Sequence, residues 1–132
     1  MEEGSPLAVV RAWHEALDRR DAQGVLALSD AEIEIVGPRG SGFGHALLRD
    51  WLDHARVSLR PLRAFARGGA VVVAQHGVWR SPESGEVIGE AGVASAFRVA
   101  GGRVVRYARH DTLEAALADA GLTTDDETNP GA

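Results

Sequence analysis

The chain predicts an α+β fold: a cone-shaped, curved antiparallel sheet wrapped around helices that come early in the sequence. Two patterns carry this. As far as residue 55 the apolar residues mostly recur at helical spacing, and from 58 to 111 they fall in four long β segments joined by short turns. A chain of 132 residues, 45% hydrophobic and 25% charged, fits one domain with one core.

Each element has a local cause. Ser5-Pro6 supplies an N-cap and a first helical residue. Val9, Val10, Trp13, Ala16 and Leu17 then mark an amphipathic helix over 6–19. Asp21 caps a short helix that runs through Leu28. AEIEIV (31–36) alternates like a strand. GPRGSGFG (37–44) is a glycine-rich loop without the lysine of a phosphate loop, so it reads as a rim with Phe43 as a lid. Residues 45–55 place Leu47, Leu48, Trp51 and Leu52 on one helical face. The β segments are 58–67, 70–80, 86–99 and 103–111, with turns at SPESG (81–85) and Gly101-Gly102. A closing helix, 112–122, stops at Gly121. The domain therefore spans 1–122, and the polar, acidic residues 123–132 read as a disordered tail.

Composition removes several function classes. There is no cysteine, and all 14 basic residues are arginine, so thiol and lysine chemistry are excluded. A net charge of −5 with no basic run argues against nucleic acid. No apolar run reaches membrane length, and the acidic start is unlike a signal peptide, so no membrane partner and a cytoplasmic location are expected. The five histidines show no metal-ligand spacing, and no metal or cofactor is expected.

WHEALDRRDAQGVLALSDAEIEIVGP (13–38) resembles the opening of the nuclear-transport-factor-2-like superfamily, with its ketosteroid isomerases, SnoaL-like polyketide cyclases and limonene epoxide hydrolases. FRVAGGRVVRYARHDTLEAALADAGL (97–122) resembles the last two strands of SnoaL-like members. The resemblance covers roughly 5–122. It implies a ligand cavity between the sheet and the first helix. It also shows what is missing. The isomerase's tyrosine donor falls on Trp13, its base on Gly37 and its second donor on Ser95, so steroid isomerisation is not expected.

With Ser95 inward, period-two alternation turns Ala91, Val93 and Phe97 inward too. The same placement puts Val105, Tyr107, Arg109 and Asp111 inward, with Arg106, Ala108 and His110 outside. On 70–80 it puts Val72, Ala74, His76 and Val78 inward and Trp79 outside. The expected cavity is then lined by Trp13, Leu17, Ile35, Trp51, Leu52, Val72, Val93 and Phe97, with His76, Ser95, Tyr107, Arg109 and Asp111 as its polar groups. Arg109 should pair with Asp111 or hold an anionic ligand group. Asp111 or His76 is the candidate base, with Arg109, Tyr107 and Trp13 as oxyanion donors. D-T-L-E also fits a capping box, which makes Asp111, or Thr112, a helix cap. His14 is placed on the helix surface, His45 and His54 in solvent. Arg60, Arg63 and Arg67 read as edge charges. Trp79 with Val71 and Val73 would leave an apolar outer face, hence a homodimer.

Three functions stay open. The first is a cofactor-independent SnoaL-like enzyme using acid/base chemistry on a small apolar oxygenated ligand: a cyclase, isomerase, dehydratase or epoxide hydrolase. The second is a non-catalytic small-molecule-binding module. The third is a dimeric accessory domain whose cavity is filled by Trp13, Trp51 and Phe43.

Overall fold

A computed structural model of the chain describes residues 5–37, 40–54 and 57–128. Pro38 and residues 129–132 lie outside the described set, as does the side chain of His54. The first helix, α1, spans Pro6–Asp18, with the Ser5 hydroxyl accepting from the Ala8 N–H. Asp21 caps α2, Ala22–Ala27, by accepting from the Gly24 N–H. Then come β1 (Ser29–Gly37), β2 (Gly40–Phe43) and α3 (His45–His54). The long strands are β3 (Val57–Arg67), β4 (Ala70–Arg80), β5 (Val87–Ala100) and β6 (Arg103–His110). Helix α4 spans Leu113–Ala120 and ends on Gly121 in the left-handed region at φ 72°, where a side chain would be strained. A 3₁₀ turn at Thr124–Asp126 and a short β7, Glu127–Thr128, follow.

The sheet order is β2-β1-β6-β5-β4-β3-β7. Every pairing is antiparallel except β1 with β6. The curved sheet is covered on both faces. On the concave side α1, α2 and α3 pack against it through a core that includes Val10, Trp13, Ile33, Leu48, Val71 and Phe97. On the convex side Ala116, Leu117 and Leu122 cover Phe65, Val72, Ala94 and Ala96. No described helix is long and apolar enough to cross a membrane.

Several expectations are corrected here. The glycine-rich 37–44 stretch forms a β-hairpin: Ile35 pairs with Gly42 and Glu34 with Phe43. Phe43 therefore shares the face of Glu34 rather than that of Ile35, and is 64% exposed, so it is not a lid. The tail is ordered as far as Thr128. The Arg63 guanidinium donates twice to the Glu127 carboxylate, both bonds 2.9 Å. Arg67 donates to Asp126 and to the Gly121 carbonyl. These two arginines, both still solvent-exposed, also hold a segment against the β3 edge.

The face of β4 is opposite to the expectation. Gln75 pairs with Val93 and Val73 with Ser95, and all four are buried. Val71 and Val73 belong to the concave core, with Trp79 packed against it. Val72 lies on the other face under α4, and His76 shares that face. The apolar outer patch from which a dimer was expected is thus interior. On β6 a bulge lies between the Arg98–Arg106 and Val99–Val104 pairs, which makes Val104, not Val105, the core residue.

Candidate functional site

The middle of the cone is filled by aromatic side chains. Trp13 lies edge-on to Phe97 at 5.3 Å between ring centroids and tilted against Tyr107 at 5.1 Å. Trp51 stacks on Trp13 at 6.5 Å with planes 22° apart. Trp13, Val93, Ser95 and Phe97 are all buried, so they form packed core rather than a cavity wall. Trp13 is not a free donor: its indole N–H goes to the Ser29 hydroxyl at 3.1 Å, and Ser29 in turn donates to the Val25 carbonyl.

Open space remains beside this cluster. A cavity of about 450 Å³ lies between β1, α3 and the end of β6. Ile35, Gly37, Trp51, Tyr107, Arg109 and Asp111 line it, six of the residues singled out from the sequence. Parallel pairing of Ile35 with Tyr107 brings β1 and β6 together here. Leu17 and Leu52 line a different opening, of about 400 Å³, beside α2. His76 lines neither; it lies on the face of β4 opposite Gln75, its ring nitrogen 2.9 Å from Glu90. It borders an opening of about 610 Å³ with Arg11, Glu15, Asp18 and Arg60, a lining of mixed charge. Among the described residues, the buried polar side-chain atom without a partner is the hydroxyl of Tyr107, a residue that lines the cavity next to β1. That favours the cavity beside β1 as the functional one.

Tyr107 has no protein acceptor or donor in hydrogen-bonding geometry. Burial pushes its pKa above the usual phenol range, against the opposing influence of the Ser95 hydroxyl and the Arg109 guanidinium. The phenol is thus a neutral donor at ordinary pH. Arg109 sits at the rim with its guanidinium 5.3 Å from the Trp79 ring centroid, a cation–π contact in place of the expected pair with Asp111. Asp111 is exposed at the rim and does not cap α4; the cap is Thr112, whose hydroxyl accepts from the Ala115 N–H at 3.1 Å.

Two buried groups were missed. His14 lies inside, with one ring nitrogen 2.9 Å from the Val10 carbonyl and the other 2.7 Å from the Gln75 amide nitrogen. Desolvation lowers its pKa, partly opposed by the Val10 bond. Gln75 completes a chain by accepting from the Ser95 hydroxyl at 2.9 Å. Helical spacing held the signal for His14, which stands four residues after Val10 and three before Leu17, on the apolar face. His45 is not free in solvent either: its ring nitrogen donates to the Ser29 carbonyl at 2.9 Å.

The order of strands and helices and the pocket beside β1 define a nuclear-transport-factor-2-like fold, and solved structures agree. A protein of this fold and unknown function from Burkholderia pseudomallei is 22% identical, with a TM-score of 0.70 over 91% of this chain and 98% of that one. A putative polyketide cyclase from Xanthomonas campestris pv. campestris is 23% identical, at 0.69 over 87% and 96%. TerC, co-crystallised with polyporic acid, is 21% identical, at 0.71 over 88% and 98%. No curated protein sequence matches. Residues 10–107 match the SnoaL-like domain, and the chain belongs to that family.

Proposed function

We propose that the chain is a cofactor-independent SnoaL-like enzyme that binds a small apolar oxygenated ligand in the cavity beside β1. The orphaned Tyr107 hydroxyl carries this reading: a buried donor without a partner costs roughly 1–3 kcal/mol, which a ligand oxygen accepting its proton would recover. Ile35 and Trp51 supply apolar wall. Arg109 at the rim suits an enolate or other anionic oxygen. Asp111 is the base within reach of the same space, removing a proton next to the carbonyl that Tyr107 polarises. His76 faces away and has no part in this reading.

Two structural neighbours support this reading, a putative polyketide cyclase and a protein crystallised with polyporic acid. Polyporic acid is therefore the first probe, followed by other hydroxyquinones, with quenching of tryptophan fluorescence as readout. Tyr107→Phe should fold as stably as the parent and weaken binding about 10-fold, the size of one lost hydrogen bond. Binding that is unchanged in Tyr107→Phe rejects the role given to the phenol. Once a substrate is found, Asp111→Asn should lower turnover by about 10²-fold or more. The aromatic filling of the cone favours a second reading, a non-catalytic binding module. It would show the Tyr107 effect on binding and no turnover.

A further inference from the structure

We propose that Trp79 is a positioning residue: it holds the Arg109 guanidinium at the rim of the cavity beside β1, ready to receive the anionic oxygen of an acidic enol. The placement starts at Gly77. Glycine weakens the interior of a strand, and there it marks a close approach. A Cβ on Gly77 would stand 2.8 Å from Trp79 Cη2 and 3.0 Å from Cζ3, so the indole folds back along β4 into the space a side chain would fill. The ring is half-buried and packs against the concave core. The Arg109 guanidinium carbon lies over it, 5.3 Å from the centroid. Arg109 is on β6 and Trp79 on β4, with β5 between them. Opposite Trp79 and Gly77, β5 presents Gly89 and Ala91. Nothing larger than a methyl group stands at those two positions, so an arginine paired with Ser95 reaches across β5 to the indole.

Arg109 is exposed, and an exposed arginine ordinarily spreads over many rotamers. Tryptophan is the ring that best attracts a cation, and here it narrows that spread. The contact engages the guanidinium by its charge and leaves its N–H donors for another partner. Among the described residues the Arg109 side chain forms no hydrogen bond and no ion pair. A carboxylate tether would fix this side chain equally well but neutralise it. The indole fixes it and keeps its charge, which is felt at the Tyr107 phenol. Asp111 borders the same cavity as a competing partner, and the indole holds the guanidinium apart from it. A ligand with an ionised oxygen is thereby favoured over its neutral counterpart. This deepens the reading of the cavity and rests on it for the identity of the ligand.

The first test contains no ligand. In the unaltered protein the ring current of Trp79 should displace the Arg109 side-chain proton resonances upfield in the NMR spectrum. Trp79→Phe should keep a displacement in the same direction. Gly77→Ala retains the tryptophan but fills the space its ring occupies, and should remove most of the displacement. Arg109 resonances at ordinary positions in the unaltered protein, or unmoved by Gly77→Ala, overturn the proposal. The second test compares polyporic acid with its neutral dimethyl ether, read by quenching of the other tryptophans, Trp13 and Trp51. Trp79→Leu should reduce the preference for the acid about 3-fold, and Trp79→Phe should restore most of it. In an Arg109→Gln background Trp79→Leu should change nothing further, an outcome that simple loosening of the core does not give. An unchanged preference in Trp79→Leu, or an equal fall without Arg109, refutes the tether and leaves the cavity reading standing. If the unaltered protein binds neither compound, the cavity reading loses its support and the ring-current measurement decides the tether, as it does if a variant fails to fold.

Discussion

Tyr107 and His14 show opposite ways of keeping a polar side chain in an apolar interior. His14 satisfies both ring nitrogens and stays neutral, its pKa lowered by desolvation. This sets a pH dependence. The unfolded chain takes up a proton at His14 near pH 6.5 while the folded chain does not, so stability is present above about 6.5 and falls as pH drops below it. Urea unfolding from pH 7 to 5 should show a shallower loss in His14→Gln, which keeps an acceptor for Gln75, than in the parent. An equal slope in both would mean that His14 protonates freely in the folded state. Tyr107 leaves its hydroxyl unsatisfied instead. Sequence could place Tyr107 on the inner face but could not show that it lacked a partner. Ser95, on the neighbouring strand, is bonded instead to Gln75 on a third strand.

At the level of elements, the strands differ in how plainly they announce their faces. Strand β5 alternates in size around Ser95: Val93 and Phe97 are large and face the helices, while Ala94 and Ala96 are small and lie under α4. Strand β4 offers Val71, Val72 and Val73 in succession, because both of its faces are buried, and a strand buried on both sides carries no alternation to read. Its face is set by pairing, Val73 against Ser95, which no local pattern encodes. The reversal of β4 removed His76 from the candidate site. At α4 the sequence left two caps open, and the structure selects Thr112. Thr112→Ala should therefore cost about 1 kcal/mol in chemical denaturation, and Asp111→Ala almost nothing. The reverse order of effects would restore Asp111 as the cap. On its other side α4 is tied to β6 by Asp119, 2.9 Å from Arg106 and 3.0 Å from His110. Burial raises the Asp119 pKa, but these bonds outweigh it and the net shift is downward. The contribution holds above the ordinary carboxylate range and is lost as pH falls through the lowered value.

For the molecule as a whole, the fold was legible because it rests on helix-then-strand order and on turn residues, which are local. The closing segment was not. Residues 124–128 are polar and acidic, and their order depends on Arg63 and Arg67, some 60 residues earlier. A chain ending at Leu122 should keep both cores yet uncover the edge of β3 at Ala64 and Phe65. Size-exclusion chromatography should then show more self-association than in the full chain; an identical elution profile would deny the segment a protective role. The stacked indoles of Trp13 and Trp51 have an optical consequence. Two like chromophores 6.5 Å apart share their excitation, so the folded protein should show a paired positive and negative band in circular dichroism. Trp51 also borders the cavity beside β1, and a molecule arriving there would shift its ring and change the couplet. The chain thus carries its own unlabelled reporter of pocket occupancy, one that Trp51→Phe would silence.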